Sequence, residues 1–327
     1  MAKIIVEVCQ NHNGDRMLLK EMIHAAKENG ADIIKGQIIF SEDVAPRERF
    51  DEGHEENNGV RKTIKRPYKA ERERLAGLDL TKDDYRFFVD EVKSAGAIPM
   101  MTVFSRNRVP LAASLPWGEK SYTKVASYDC ASLPLIADLA HHFDMVIVST
   151  GATFDDEIQK TATFLKEKNK KFALLHCVTS YPNTLAMANL RRMEWLRQFS
   201  SHVGWSDHTL VSRDGIKAAK VALMLGADFI ERHFTILPAD KTKDGPISIT
   251  PALLRELSDF AKRSQEEQKQ IVAQEIPEWQ EMLGSSNREM THTEMLNRDY
   301  YRGRFASFTR DGWVYNWEEK MIKENEI

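Results

Sequence analysis

Short runs rich in β-branched residues recur along the chain, separated by longer stretches with apolar positions every three or four residues. The strand-like runs are KIIVEV, ADIIKGQIIF, IPMMTVF, SYTKVAS, MVIVSTG, FALLHCVTS, SHVGWSDH and ADFIERHFT, eight in all. Between them lie DRMLLKEMIHAAKENG, TKDDYRFFVDEVKSAG, CASLPLIADLAHHF and VSRDGIKAAKVALMLG, three of which end on a glycine suited to a helix C-terminus. Eight strand–helix repeats predict an α/β protein with a (β/α)8 TIM barrel, a fold of typically about 250 residues. On that count residues 1–271 form the barrel domain.

Two segments break the repeat. Residues 41 to 75 are highly charged and nearly free of aliphatics, which predicts a long loop or short helices after strand 2, lying over the barrel mouth. Residues 272–327 carry aromatics but too little apolar content for a large second domain, so they are expected to form a short C-terminal extension able to bind a partner.

Composition narrows the functional classes. Lysine and arginine number 46 against 49 acidic residues, a net charge of −3, so no global field recruits nucleic acid or an anionic membrane surface, and any anion must be caught locally. Cys9, Cys130 and Cys177 form no close metal pair and no even disulfide set, which suits a reducing compartment. The opening MAKIIVEVCQ runs straight into a strand pattern, and no apolar run reaches bilayer length. These features predict a soluble, cytoplasmic protein.

Barrel active sites gather at the C-terminal ends of the strands. The polar residues expected there are Glu7 on strand 1, Lys35 and Gln37 on strand 2, Thr102 on strand 3, and Lys124 and Ser127 on strand 4. Strands 5 to 8 add Ser149, Tyr181, His208, Glu231 and His233. Residues two apart in a strand share a face, so Lys35 and Gln37 point together, as do Glu231 and His233. Two lysines and two glutamates thus point into an interior normally filled by branched apolar side chains. Such charges are costly unless they pair or hold a charged ligand, so they form either a structural ion-pair network or part of a binding site.

His208 and His233 end neighbouring strands about 4.8 Å apart and can reach one divalent ion. Two imidazoles plus oxygen ligands suit manganese, iron, cobalt, nickel or zinc, and with no third protein ligand evident, positions stay open for substrate and water. Lys35, Lys124, Thr102, Ser127 and Ser149 form a donor set for phosphate or carboxylate, although Ser149 could equally cap the next helix. His12 and Asn13 read as turn residues, His141 and His142 as helix-terminal ones, and His176 as a core histidine. No P-loop, dinucleotide fingerprint or nucleophile elbow is present.

In order, IIVEVCQNHNGD, ADIIKGQ, LDLTKDDYRFF, KVAS, VSTGA, LLHCVTSYP, GWSDHT, GADFIERHFT and KDGPISITP resemble the barrel of the sialic acid synthases, the phosphoenolpyruvate-dependent nonulosonate synthases, over roughly residues 3 to 260. The resemblance implies a divalent metal, manganese first and magnesium or cobalt otherwise, on His208 and His233. It implies phosphoenolpyruvate on Lys35, Thr102, Lys124, Ser127 and Ser149, an acceptor sugar near Gln37, Tyr181 and Asp244, and proton transfers shared by Glu7 and Asp129. The implied reaction joins C3 of phosphoenolpyruvate to the aldehyde of an open-chain sugar, with phosphate leaving by C–O cleavage.

Departures from the family pattern bear on the acceptor. SYD stands at 127–129 where SGE is usual, Thr179 where Asn is common, and KDGPIS where a PDHxxS turn is usual, with Gly245 in place of a polar side chain. RDYYRGRFASFTRDG resembles only the entry to the family's C-terminal antifreeze-like domain, whose arginine reaches the acceptor across a dimer. Arg302, Arg304 or the charged loop would have to replace that contact, and a homodimer is the default assembly. The readings to separate are a synthase making a 3-deoxy-2-ulosonic acid, a metal-dependent phosphosugar hydrolase or isomerase, and a non-catalytic binding protein.

Overall fold

The structure is a computed structural model that describes residues 1–320 and 322; the remaining residues of the 272–327 extension lie outside the described residues. Eight parallel strands close into a barrel: β1 (Lys3–Glu7), β2 (Ile33–Ile38), β3 (Ile98–Val103), β4 (Tyr122–Val125), β5 (Met145–Ser149), β6 (Lys171–Cys177), β7 (Val203–Asp207) and β8 (Phe229–His233). Each matches one of the expected runs, β6 starting one residue earlier at Lys171, and β1 closes the ring against β8 with Glu7 opposite His233. The expected (β/α)8 architecture is the observed one.

Local chemistry sets the helix bounds. Asp15 caps Arg16–Glu28 by accepting from the backbone N–H groups of Met17 and Leu18, and a Thr81–Asp84 capping box starts Lys82–Ser94. Helix Leu133–His142 follows the third expected stretch. The fourth is broken into Val211–Asp214 and Lys217–Met224, because Gly215, at φ +57°, leaves the right-handed region between them.

Strand alternation produces two apolar layers. Outward residues such as Ile4, Val6, Ile34, Val146, Val148 and Leu174 pack against the buried faces of the helices. Inward residues Ile5, Ile33, Met100, Ile147, Ala173, Leu175 and Phe229 fill the N-terminal part of the barrel and exclude water below the site. A Cβ at Gly204 would lie 2.2 Å from the Phe229 carbonyl oxygen, so β7 approaches β8 only because residue 204 is glycine. The outward Asp207 and Arg232 form an ion pair at 0% exposure, behind the barrel wall.

The charged segment after β2 contains the helices Arg49–Glu52 and Tyr68–Ala76 and also a hairpin, His54–Glu55 with Arg61–Thr63. The hairpin differs from the loop-or-helix expectation. Its strands are too short and too charged to alternate visibly, and its turn is closed by backbone bonds between Glu56 and Val60 and between Glu56 and Gly59, with Gly59 at φ +81°.

After helix Gln265–Glu275, the tail returns to the C-terminal end of the barrel as helix His292–Tyr301 and a hairpin, Ala306–Thr309 with Gly312–Tyr315. Long-range polar contacts dock it. The Asn297 amide donates to the Thr179 carbonyl (2.7 Å), Arg298 to the Ala152 carbonyl (2.6 Å), and Asn316 to the Phe104 carbonyl (2.9 Å). Among the described residues, no helix is long and apolar enough to cross a membrane.

Candidate active site

The C-terminal ends of the strands, the charged segment and the tail enclose a cavity of about 1080 Å³. Its floor is ionic. The Lys35 ammonium is paired with the Glu7 carboxylate, donates to Thr102 Oγ1 at 3.0 Å and lies 3.7 Å from Glu231. Lys124 Nζ is 3.4 Å from Glu231, which also accepts from Ser206 Oγ at 2.7 Å. Two lysines and two glutamates therefore balance in a space where each is at most 3% exposed. The structural network and the binding floor are the same residues.

This balance sets the protonation states. Burial would raise the Glu231 pKa, but Lys124 and Lys35 outweigh it and hold the carboxyl well below its usual range. Burial pushes Lys35 down, with Glu231 opposing and Lys124 reinforcing the fall. An arriving phosphate or carboxylate would meet ammonium groups already desolvated, so its own charge would be weakly screened.

The histidines stand at the rim of this floor. The register pairs Arg232 with Asp207, which brings the next residues, His233 and His208, side by side with ring centroids 5.3 Å apart. Both Nδ1 atoms are buried without a hydrogen-bond partner among the described residues. Burial lowers both imidazole pKa values, and His233 adds to the effect on His208, which favours the neutral ring with its free lone pair at both positions. Asp244 Oδ2 is 3.8 Å from His233 Nδ1, and Cys9, His233 and Asp244 present ligand atoms within 4.8 Å of one another. The two orphaned imidazole nitrogens, with a thiol and a carboxylate close to His233, fit a divalent metal ion.

Of the residues singled out from the sequence, Glu7, Lys35, Gln37, Thr102, Lys124, Ser127, Ser149, Tyr181, His208, His233 and Asp244 all line the cavity. Ser149 caps no helix among the described residues: the following helix, Asp155–Glu167, is capped at Phe154, whose N–H donates to Glu157, and Ser149 Oγ is buried with no hydrogen-bond partner among those residues. Ser127 Oγ lies 3.5 Å from Thr179 Oγ1, and the Tyr181 ring is 4.4 Å from that of His208.

Asp129 departs from expectation. The tight turn Ser127–Asp129 carries its carboxylate out of the cavity lining, where it accepts from Ser132 Oγ (3.0 Å) and Asn316 Nδ2 (3.1 Å). Burial raises its pKa to about 6, partly offset by these two bonds. Its contacts are those of a wall residue. His12, whose Nδ1 accepts from Gly14 N–H, and His176, bonded to the Ala188 carbonyl, also hold structural positions.

Arg304 and the charged segment, the two sources expected to supply acceptor-facing charge, do reach the rim, the latter through Arg61, Lys65, Arg66 and Arg74, whereas Lys243, Asn297 and Tyr301 are cavity residues that nothing in the sequence pattern marks. Arg304 is paired with Glu71, while Arg302 pairs with Glu157 at 3.3 Å and does not line the cavity. Cys9 has no second cysteine close in sequence to mark a metal site, and only its place just past β1, two residues after Glu7, identifies it as a strand-end residue.

Fold and site together define a (β/α)8 barrel with a charge-balanced floor and a histidine pair at the C-terminal ends of its strands. The NeuB family model matches residues 22–272, and the chain belongs to the NeuB family. It is 30% identical over 314 residues to N,N'-diacetyllegionaminic acid synthase of Legionella pneumophila, covering 94% of this chain and 80% of that protein. Human N-acetylneuraminate-9-phosphate synthase is 28% identical over 263 residues, 78% of this chain and 67% of that one. Among solved structures, N-acetylneuraminic acid (sialic acid) synthetase from Leptospira borgpetersenii, in complex with citrate, superposes with TM-score 0.68 at 26% identity, covering 91% of this chain and 90% of that one. The resemblance read from the motifs holds.

Proposed function

We propose that the protein condenses phosphoenolpyruvate with an open-chain aldose to give a 3-deoxy-2-ulosonic acid and inorganic phosphate. The observation that carries this reading is the juxtaposition, in one cavity, of two buried lysines and the Ser149 hydroxyl with a pair of histidines, the hydroxyl and both imidazole Nδ1 atoms having no hydrogen-bond partner among the described residues. Lys35 and Lys124, with Thr102, Ser127 and Ser149, hold the phosphate and carboxylate of phosphoenolpyruvate. Gln37, Tyr181 and Asp244 orient the acceptor beneath a rim to which Arg304 contributes positive charge.

A divalent cation would be held by His208 and His233, where it would supply Lewis-acid polarisation of the acceptor aldehyde. C3 of phosphoenolpyruvate forms the new bond to the aldehyde carbon, and the aldehyde oxygen takes up a proton. Water adds to the electron-poor C2 and gives up a proton, then the C2–O bond to phosphate breaks as the C2 ketone forms. Glu7, whose carboxylate is already paired with the Lys35 ammonium, is assigned these proton transfers, since Asp129 lies outside the cavity lining.

The test is incubation with phosphoenolpyruvate, Mn2+ and a panel of aldoses, following phosphate release and product mass. Aldose-dependent release with a product of the summed carbon skeleton is expected, and His208→Ala should abolish it while leaving the circular-dichroism spectrum unchanged. Phosphate release from phosphosugars without phosphoenolpyruvate would point instead to a hydrolase. Full activity of His208→Ala would remove this residue from the metal assignment.

A further inference from the structure

We propose that Cys9 is a third protein ligand to the metal beside His208 and His233, with the Asp244 carboxylate facing it, and that the site therefore selects a thiophilic ion such as Zn2+, Fe2+ or Co2+ over Mg2+ or Mn2+. The inference deepens the metal assignment made above.

Four observations converge on it. Cys9 adopts φ +40°, in the left-handed region that disfavours any side chain bearing a Cβ. A non-glycine residue persists there only where its surroundings impose it, and such outliers concentrate at functional sites. The turn is fixed by a bond from Cys9 N–H to the Glu7 carboxylate (2.6 Å). Its result is that the thiol, only 2% exposed, lies within 4.8 Å of ligand atoms on both His233 and Asp244.

The facing residues are equally constrained. His233 Nδ1 is buried and without a hydrogen-bond partner among the described residues, and at 3.8 Å from Asp244 Oδ2 it is beyond hydrogen-bond reach. Asp244 sits at a tight turn: a Cβ at the next residue, Gly245, would lie 2.1 Å from the Ala239 carbonyl oxygen. Ser248 Oγ also donates to the Asp244 carbonyl at 2.7 Å, so the backbone carrying this carboxylate is held from both sides.

A buried cysteine is often an inert small hydrophobe. This one, buried just behind the cavity lining, faces an orphaned imidazole and a carboxylate from a strained backbone position, whereas the thiol that lines the cavity, Cys177, belongs to β6. A thiolate changes the ion preference of the set: imidazoles and oxygens accept Mn2+, whereas sulfur favours Zn2+, Fe2+ and Co2+, and oxygen ligands favour Mg2+.

The test is to load metal-free protein with Co2+ in the absence of substrates and record its absorption spectrum. A near-ultraviolet thiolate-to-cobalt charge-transfer band is expected, together with visible cobalt bands. Cys9→Gly, which suits the positive φ, and Cys9→Ser should both lose the charge-transfer band and bind Co2+ at least about tenfold more weakly. Cys177→Ser should keep the band. The ratio of Zn2+ to Mn2+ affinity should also fall at least about tenfold in Cys9→Gly. Bound Co2+ without a charge-transfer band in the parent protein, a band that survives in Cys9→Gly, or unchanged affinities would each overturn the proposal. Neither phosphoenolpyruvate nor a sugar is present, so the outcome is independent of the synthase reading.

Discussion

Replacing Glu231 by glutamine tests whether charge balance holds the cavity floor. Glutamine has nearly the same shape and can still accept the Ser206 hydroxyl, so the change removes chiefly the negative charge. It leaves Lys124 without its carboxylate at 3.4 Å, while Lys35 keeps Glu7. Removing one member of a buried ion pair costs about 3–5 kcal/mol, and the surviving Lys35–Glu7 pair places the expected loss at about 3 kcal/mol. Urea denaturation in phosphate-free buffer at pH 7 measures it. Inorganic phosphate should then stabilise the variant more than the parent, because it meets a floor with one uncompensated ammonium; at 100 times Kd the gain is about 2.7 kcal/mol. The pH dependence gives a second reading. Glu231 has a depressed folded-state pKa, so its stabilisation is complete above the unfolded value of about 4.3 and is lost as the pH falls through the folded one. The variant should therefore lose less stability than the parent on acidification below about pH 4.3. Equal stability at pH 7 combined with indifference to phosphate would refute the balanced-floor account.

Two further substitutions separate wall from site. Burial raises Asp129 from 3.8 to about 6, so the folded state binds the proton more tightly and the group's destabilisation grows as the pH rises from about 4 to about 6. Asp129→Asn keeps an acceptor for Ser132 and Asn316 and should stabilise the protein by up to about 3 kcal/mol at pH 7, at about 1.4 kcal/mol per pH unit, with little change in kcat. A large loss of kcat in a stable variant would restore a catalytic role to Asp129. Arg304→Lys keeps a charge opposite Glu71 but loses the planar fork, and should raise KM for the aldose several-fold with KM for phosphoenolpyruvate unchanged. Equal effects on both constants would make Arg304 a structural residue only.

The barrel was readable from the sequence because its determinants are local. Alternation along β2 and β8 decides that Lys35, Glu231 and His233 face inward, and the terminal glycines Gly30, Gly96 and Gly226 take φ of +100°, +81° and +83°, as helix ends require. Site residues set by strand position are accordingly legible one strand at a time. Those set by turn geometry are not: Asp129 follows its strand by only a few residues, yet a single tight turn takes it out of the cavity lining, whereas Cys9, at positive φ, has its thiol beside His233 and Asp244. The rim is less legible still. Asn316 meets Asp129 across 187 positions and Asn297 meets Thr179 across 118, so nothing near either partner announces the contact. This division follows the chemistry. The floor and the histidine pair stand on or just past strands whose register fixes them to one another, as the proposed function requires of groups that hold an ion and a reacting carbon in fixed relation. The rim comes from a hairpin, a helix and a tail joined by side-chain bonds, so it can change residue by residue without disturbing the floor. Acceptor choice is therefore expected to reside in Arg304 and its rim neighbours, and reaction type in the strand-borne residues beneath them.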